Sequence, residues 1–138
     1  MADLFFEVYD PAGGDLLPTM DIEDEYVRAI GNGIKSKSEL VNQILQFGEI
    51  IKTRVGKNPF IYIRKDIAEL LGSPAEFEGF PLWIANYNNP TVPPLPKPWP
   101  TYTLWQYSEK GQWPGVPESS PGRPGVIDFN YLNGPRTC

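Results

Sequence analysis

The 138-residue sequence contains no histidine and only one cysteine, Cys138, at its last position. A Ser-His-Asp triad, a Cys-His pair and a His-ligated zinc site all require an imidazole, so these hydrolytic sites are excluded. A single cysteine cannot form a disulfide within the chain. Any catalysis must therefore depend on carboxylates, hydroxyls, amides, lysine, arginine or a bound ion.

Basic residues and long apolar runs are also scarce. The formal net charge is −5, from 12 Lys and Arg against 17 Asp and Glu, and an acidic surface argues against a nucleic-acid partner. No apolar run approaches the roughly 18 residues that a membrane helix needs. The first residues have no basic region and no long apolar core, so we expect no signal peptide and no membrane partner. The length suits a single domain over residues 1–138.

The order of secondary-structure signals predicts an α/β fold. Ser36 and Glu39 form a capping-box pattern, and apolar residues follow at helical spacing until Gly56. Strand, helix, strand, helix, strand is the order of βαβ units with a parallel sheet, and the last two strands leave no room for helices. We predict strands over 16–23, 59–63, 81–86, 102–107 and 125–129, a helix over 65–71, the end of a helix over 2–9, and an ordered proline-rich loop over 88–100.

An acidic cluster follows the first predicted strand. Asp21 and Glu23 are two residues apart, so on a strand both side chains point to one face, about 6.7 Å apart at the backbone. Two neighbouring carboxylates can separate their pKa values into an acid and a base, which is the arrangement that glycosidases need. The alternative is a solvated acidic turn over 23–25 that starts a helix. Asp21, Glu23 and Asp24 lack the spacing of a calcium loop, so we predict no metal and no cofactor.

Later aromatic and acidic residues allow two interpretations. Asp128 follows an apolar stretch and is either a site residue or an ordinary turn aspartate. The pairs Trp83/Tyr87 and Trp105/Tyr107 either pack in the core or offer flat faces to sugar rings. We expect core packing for at least half of these aromatic side chains.

Five segments in order resemble glycoside hydrolase family 25 muramidases, over about residues 3–134. One segment is similar to the family's D-x-E strand and another to its L-W-x-A-x-Y strand. A third is similar to its W-Q-Y-S segment and a fourth to its closing V-D-x-N strand. The remaining segment, 59–62, is similar to the core strand that follows the D-x-E strand. In chain order the segments are 16–24, 59–62, 81–87, 104–108 with Gly111, and 125–130.

The resemblance implies cleavage of the β-1,4 bond between N-acetylmuramic acid and N-acetylglucosamine in peptidoglycan glycan strands. By position, Glu23 matches the general acid/base and Asp21 the carboxylate that orients the substrate acetamido group or stabilises charge on the ring. Asp128 matches the acidic residue of the last strand, and we expect Asp21 and Asp128 to raise the pKa of Glu23. The matching substrate-binding positions are Tyr62, Trp83, Tyr87 and Gln106.

The sequence also departs from the family. A (β/α)₈ barrel takes about 250 residues, and the family's opening strand with its aspartate has no counterpart here. We therefore predict an incomplete (β/α) TIM-like barrel that lacks the first strands and corresponds to the second half to two-thirds of the domain. An open edge at the 16–23 strand is a pairing hazard. We expect a second copy, an N-terminal partner chain or a rearranged N-terminal segment to cover it.

Two alternatives to a muramidase stay open. One is a non-catalytic glycan-binding remnant or subunit of a split enzyme, and the other is a chitinase-like glycosidase with a D-x-E strand. The segments 81–87 and 104–108 favour the muramidase over the chitinase. A wall-degrading enzyme acts outside the cell or in the cell wall, or, if phage-derived, stays cytoplasmic until lysis.

Overall fold

A computed structural model describes residues 16–89 and 91–134. The helix predicted over 2–9 lies outside the described residues. In chain order the elements are β1 (Thr19–Ile22), α1 (Asp24–Gly31), α2 (Lys37–Val55), β2 (Phe60–Ile63), α3 (Lys65–Leu70), a 3₁₀ helix (Ala75–Gly79), β3 (Leu82–Ala85), β4 (Leu104–Gly111) and β5 (Ile127–Leu132).

The five strands form one sheet in the order β1-β2-β3-β4-β5. The first four strands run parallel, and β5 runs antiparallel to β4. The α/β prediction is confirmed, but the described residues form an open sheet rather than a barrel. A parallel strand needs a crossover connection, usually a helix. The connection over 112–126 contains no helix, and so β5 turns back beside β4.

The predicted long helix is confirmed as α2, and its ends follow from local sequence. The Ser36 hydroxyl accepts a hydrogen bond from the Glu39 N–H at 3.2 Å. The Ser36 N–H in turn donates to the Glu39 carboxylate at 2.6 Å, which completes the capping box. Gly56 ends the helix with φ 84°, a left-handed conformation that glycine adopts at little cost.

The two faces of the sheet differ in chemistry. On one face a row of buried side chains crosses β1 to β4, and it packs with Leu40, Ile44 and other apolar residues in a single core. The opposite face carries polar and aromatic residues, because strand side chains alternate. In the register of β1, β2 and β3, Asp21 pairs with Tyr62 and Tyr62 pairs with Trp83. The buried row is Ile22, Ile63, Ile84 and Trp105.

The proline-rich segment between β3 and β4 packs on the core, as predicted for an ordered loop, apart from position 90, which the structure does not describe. Pro93 and Pro96 are fully buried. Trp99 is buried as well, and its indole N–H donates to the Phe80 carbonyl at 2.8 Å. The loop therefore covers part of the hydrophobic core.

Besides α3, two short helices lie between the strands, and only one of them was expected. The acidic stretch after β1 starts the eight-residue helix α1, with Asp24 and Glu25 in its first turn, where acidic side chains favour the helix dipole. The 3₁₀ helix is unpredicted, and it buries Phe77. The predicted strands exist, with ends shifted by a few residues.

We predict that Gly48→Ala destabilises the protein, although alanine is the better helix former by about 1 kcal/mol. Gly48 lies inside α2, and a Cβ there would stand 2.6 Å from Cε1 of the buried Phe80 ring. Overpacking of this kind costs about 1–3 kcal/mol, which outweighs the propensity gain. Urea unfolding measures the change. Gly31→Ala, at the end of α1 with no atom within 4 Å of the new Cβ, is the matched control and should leave stability unchanged or slightly raised.

Candidate active site

The acidic pair lies where β1 ends and α1 begins. Buried Ile22 separates Asp21 from Glu23, so both exposed carboxylates project to the same side of the sheet. Glu23 is the N-cap residue of α1 and has an extended backbone, with φ −123° and ψ −156°. The alternation of the strand thus continues through Glu23 before the helix starts. The helix-starting interpretation of this stretch is confirmed, and the two carboxylates still share one side of the sheet.

The acidic pair lines a concave pocket of about 300 Å³ on the polar face of the sheet. This pocket brings together six of the seven predicted site residues. The seventh, Tyr87, lies beside it and reaches it through a hydrogen bond to Gln106. The lining residues are Thr19, Asp21, Glu23, Tyr62, Trp83, Gln106 and Asp128.

Asp128 reaches the pocket because β5 is antiparallel. It is the second residue of β5, so it lies near the end at which β1, β2 and β3 finish. In the register of the hairpin, Gln106 pairs with Asn130, and Asp128 lies beyond that pair. A parallel last strand would have placed the same residue at the opposite end of the sheet.

Gln106 organises the floor of the pocket. Its side chain is buried, and its amide oxygen accepts a hydrogen bond from the Tyr62 hydroxyl and another, at 2.9 Å, from the Tyr87 hydroxyl. Burial is the main reason that the pKa of each tyrosine is raised. Both hydroxyls therefore stay protonated and act as donors near neutral pH. The sequence identified these three residues but not their shared contact.

Trp83 is fixed by two contacts at the edge of the pocket. Its ring meets the Tyr62 ring edge-on, with centroids 5.5 Å apart and an interplanar angle of 87°. Its indole N–H donates to the Asn130 side-chain oxygen at 2.7 Å. Sequence reasoning missed Asn130. The available signal was its position two residues after Asp128, which puts both side chains on one face of β5.

The pKa of Glu23 is raised above its usual 4.5. The largest cause is a hydrogen bond to Asp21, since a protonated Glu23 can donate to that carboxylate. Partial burial and the negative charges of Asp21, Glu25 and Asp24 act in the same direction. The expected contribution of Asp21 is present. Asp128 is not among the charges that raise this pKa, whereas the first turn of α1 supplies two that were not expected.

Arg64 directly follows β2 and links this strand to Asp24 at the start of α1. Its guanidinium binds the Asp66 carboxylate through two nitrogens, at 3.0 and 2.9 Å. One of those nitrogens also contacts Asp24 at 3.0 Å. The two-nitrogen contact fixes the guanidinium plane, so the contact to Asp24 costs little additional entropy. Asp24 follows Glu23 directly, and Arg64 thereby holds the start of α1 against β2.

We predict that Arg64→Gln lowers kcat about threefold to tenfold, because the backbone of Glu23 loses its anchor. Asp24→Asn removes the contact to α1 alone and should have a similar effect, and the double variant should be no worse than Arg64→Gln, which has already lost that contact. Stability should fall by less than about 1 kcal/mol, because the pair is exposed.

The control for Arg64 is Lys65→Gln. Lys65 pairs with Glu69 at 3.6 Å on α3, away from Glu23, and activity should not change. Additive losses in the Arg64 and Asp24 variants, measured by steady-state kinetics, would contradict this coupling.

The other aromatic pair packs rather than lining the pocket. Trp105 is buried, and its indole N–H donates to the Asn86 carbonyl at 2.9 Å. Tyr107 stacks on Tyr131 of β5, with centroids 4.5 Å apart. Core packing thus accounts for Trp105 and Tyr107, and the half-buried Trp83 remains available at the pocket.

Among residues 16–89 and 91–134, no group of three or more Asp, Glu, Cys or His side chains is placed to hold a metal ion. No helix in the same described ranges is long and apolar enough to span a membrane. The groups that line the pocket are carboxylates, hydroxyls, an amide and an indole.

The pocket combines carboxylates at a strand end with aromatic side chains. The sequence model for glycosyl hydrolases family 25 matches residues 2–116. The chain belongs to this family. The resemblance found in the five sequence segments is thereby confirmed.

Solved structures of similar proteins align with most of this chain. The lysozyme of Aspergillus fumigatus is 28% identical, with a TM-score of 0.67, over 87% of this chain and 53% of the lysozyme. The spore cortex lytic enzyme SleM of Clostridium perfringens is 27% identical, with a TM-score of 0.67, over 95% of this chain and 43% of the enzyme.

A curated relative shows the same difference in length. The uncharacterized protein YegX of Escherichia coli O6:H1 strain CFT073 is 29% identical over 135 residues, which are 96% of this chain and 42% of the relative. The chain thus spans about half the length of the family 25 relatives that it matches.

Proposed function

We propose that this chain carries the catalytic carboxylates of a muramidase, which cleaves the β-1,4 bond between N-acetylmuramic acid and N-acetylglucosamine in peptidoglycan. The observation that carries the proposal is the pair of neighbouring carboxylates, Glu23 and Asp21, which line one pocket together with Asp128, and the pKa of Glu23 is raised there. Membership of family 25 supports a glycosidase. The half-buried Trp83 lines this pocket, and its aromatic ring can pack against the C–H face of a sugar ring.

In the proposed mechanism Glu23 is the general acid. It gives its proton to the glycosidic oxygen as the bond to the anomeric carbon breaks, and its raised pKa keeps it protonated for this step. The substrate's acetamido oxygen attacks the anomeric carbon, and Asp21 accepts the acetamido N–H and balances the positive charge. Glu23, now a carboxylate, then removes a proton from water, which opens the cyclic intermediate and regenerates the acid. No protein nucleophile is required.

The proposed acid has a definite pH dependence. Activity should fall as pH rises through the raised pKa of Glu23, because deprotonated Glu23 cannot donate. Asp21→Asn removes the largest cause of the shift, so the alkaline limb of its residual activity should move to lower pH. The free energy of unfolding depends on pH in the same direction as the activity. With a raised folded pKa, the stabilising effect of protonated Glu23 is full below pH 4.5 and is lost as pH rises through the folded pKa.

Rate measurements from pH 3 to pH 9 on the wild type and on Asp21→Asn test this dependence. Identical alkaline limbs in the wild type and Asp21→Asn would contradict the coupling between the two carboxylates. Glu39→Gln is the control, because Glu39 caps α2 far from Glu23 along the chain and should leave the shape of the profile unchanged.

A second candidate is a glycan-binding module without catalysis. The observation that favours it is the open sheet, together with a length that is about half that of the family relatives. Release of reducing ends from purified walls separates the two functions: wall binding without release supports the binding module, and release that depends on Glu23 supports the muramidase. Family 25 membership favours a muramidase over the chitinase-like alternative.

We further propose that the described sheet is part of a (β/α) barrel whose β1 edge is covered by additional polypeptide. Within the described residues β1 pairs only with β2. Beside this edge lies a concavity of about 360 Å³, lined partly by Met20, Ile44 and Phe47. Phe47 and Ile50 also expose about two-fifths of their surface on α2. An uncovered edge next to an apolar groove invites association.

A second copy of the chain, an N-terminal partner chain or a rearranged N-terminal segment would provide this cover. Light scattering of the purified chain tests self-association: a dimer that Phe47→Glu dissociates supports it, and a stable monomer rules it out.

An enzyme that cleaves wall glycans acts where the wall is. The proposed place of action is therefore outside the cell or in the cell wall, or, for a phage-derived protein, at the wall after lysis.

A further inference from the structure

The β4–β5 hairpin rises beyond the rim of the parallel sheet. Only Leu104, Trp105 and Gln106 of β4 pair with β3, and the strand continues for five more residues paired with β5 alone. At about 3.3 Å per residue, this carries the connecting loop up to about 16 Å past the level of Gln106. The loop over 112–126 therefore lies beyond the end of the sheet at which the carboxylate pocket is found.

Trp113, on this loop, is the most exposed tryptophan of the chain. It is 66% exposed, whereas Trp99 and Trp105 are buried and Trp83 is half-buried. A large aromatic side chain in water forfeits the stabilisation that burial would give it. Nothing in the described core requires Trp113, so its placement needs another explanation.

The loop that holds Trp113 is internally bonded. The Val116 N–H donates to the Trp113 carbonyl at 3.1 Å, and the Arg123 N–H donates to the Ser120 carbonyl at 2.9 Å. The Gly122 N–H donates to the Glu118 carboxylate at 3.3 Å. Four prolines further restrict the backbone, which lowers the entropy lost when a ligand binds. They are Pro114, Pro117, Pro121 and Pro124.

A separate cavity of about 420 Å³ lies against the Trp113 side chain. Its other lining residues include the Gln112 amide and the Glu118 carboxylate, both of which can bond to hydroxyl groups. Gly125 also lines it and lies three residues before Asp128, so the start of β5 connects the cavity to the carboxylate pocket. An aromatic face with polar groups around it suits a sugar ring.

We propose that Trp113 and this cavity form a second sugar-binding site, which holds a ring of the glycan strand remote from the bond being cleaved. The inference rests on the proposed function for its ligand, a β-1,4-linked N-acetylated glycan. The indole would pack against the C–H face of the ring, while Gln112 and Glu118 bond to hydroxyl or acetamido groups. A long strand would occupy both sites, and a short oligosaccharide only the carboxylate pocket.

The first test measures binding of purified, insoluble peptidoglycan by sedimentation, in a Glu23→Gln background that prevents cleavage. Adding Trp113→Ala should weaken binding about tenfold, with the fold unchanged by circular dichroism. Ile34→Ala is the matched control, because Ile34 is 70% exposed outside both sites and should not alter binding. Equal binding with and without Trp113 would overturn the proposal.

The second test separates this site from the carboxylate pocket. With Glu23 present, Trp113→Ala should raise KM about tenfold for polymeric walls and leave the kinetics unchanged for a soluble tetrasaccharide of alternating N-acetylglucosamine and N-acetylmuramic acid. Losses on both substrates would overturn the remote site. If walls are bound through Trp113 but never cleaved, the proposed function fails and the sugar-binding site stands. If the wild type and Trp113→Ala cleave walls equally well, the second sugar-binding site fails and the proposed function stands.

Discussion

Glu23→Gln should lower the kcat for release of reducing ends from peptidoglycan about 10³-fold. Glutamine keeps the size and hydrogen bonding of the side chain but has no proton to give to the glycosidic oxygen. General acid catalysis contributes roughly 10²–10⁴-fold, and here the same group also serves as the base in the second step. KM should change little, since the pocket around the side chain is unaltered.

Glu25→Gln is the matched control for this result. Glu25 is an exposed acidic residue in the first turn of α1, two positions beyond Glu23, and its charge only contributes to the raised pKa of Glu23. Its activity should stay within about twofold of the wild type at the pH optimum. Equal activity of Glu23→Gln and the wild type would remove Glu23 from the mechanism, whatever the family membership of the chain.

Gln106→Leu should lower kcat about tenfold to a hundredfold and destabilise the fold by about 2 kcal/mol. Leucine fills a similar volume but leaves the Tyr62 and Tyr87 hydroxyls without their shared acceptor in a half-buried site. An unpaired buried hydroxyl costs about 1–3 kcal/mol, partly relieved when the side chain finds water. Tyr62 also supports the Trp83 ring, so the aromatic edge of the pocket should loosen.

Tyr87→Phe serves as the graded control for Gln106. It removes one of the two donors and leaves Tyr62 bonded, so both losses should be smaller than those of Gln106→Leu. Thermal unfolding and wall-cleavage kinetics measure the two quantities. A Gln106→Leu protein with wild-type stability and activity would show that the buried amide is not the organising group of the pocket.

Local sequence signals predicted a substantial part of this structure. The capping box of Ser36 and Glu39 and the left-handed Gly56 set the ends of α2 through bonds within a few residues of each other. The same holds for Asp21 and Glu23, whose common face follows from strand alternation alone. Each of these features depends on neighbours in the chain and needs no knowledge of the tertiary fold.

The missed features depend on contacts between distant segments. One is the antiparallel direction of β5, which brings the predicted Asp128 to the pocket and places Asn130 against the Trp83 indole. The link from Arg64 to Asp24 joins residues 40 positions apart, and each alone is an ordinary exposed charge. The five sequence segments indicated which residues belong to the site. They did not indicate which of these residues bond to one another.

The identity of the new reducing end tests the central proposal most directly. Purified peptidoglycan is digested with the chain, reduced with borohydride and hydrolysed, and the reduced amino sugars are separated by mass. Cleavage by the proposed muramidase predicts reduced N-acetylmuramic acid as the product, absent from the Glu23→Gln digest. Reduced N-acetylglucosamine, or release of peptides without any new reducing end, would contradict the account.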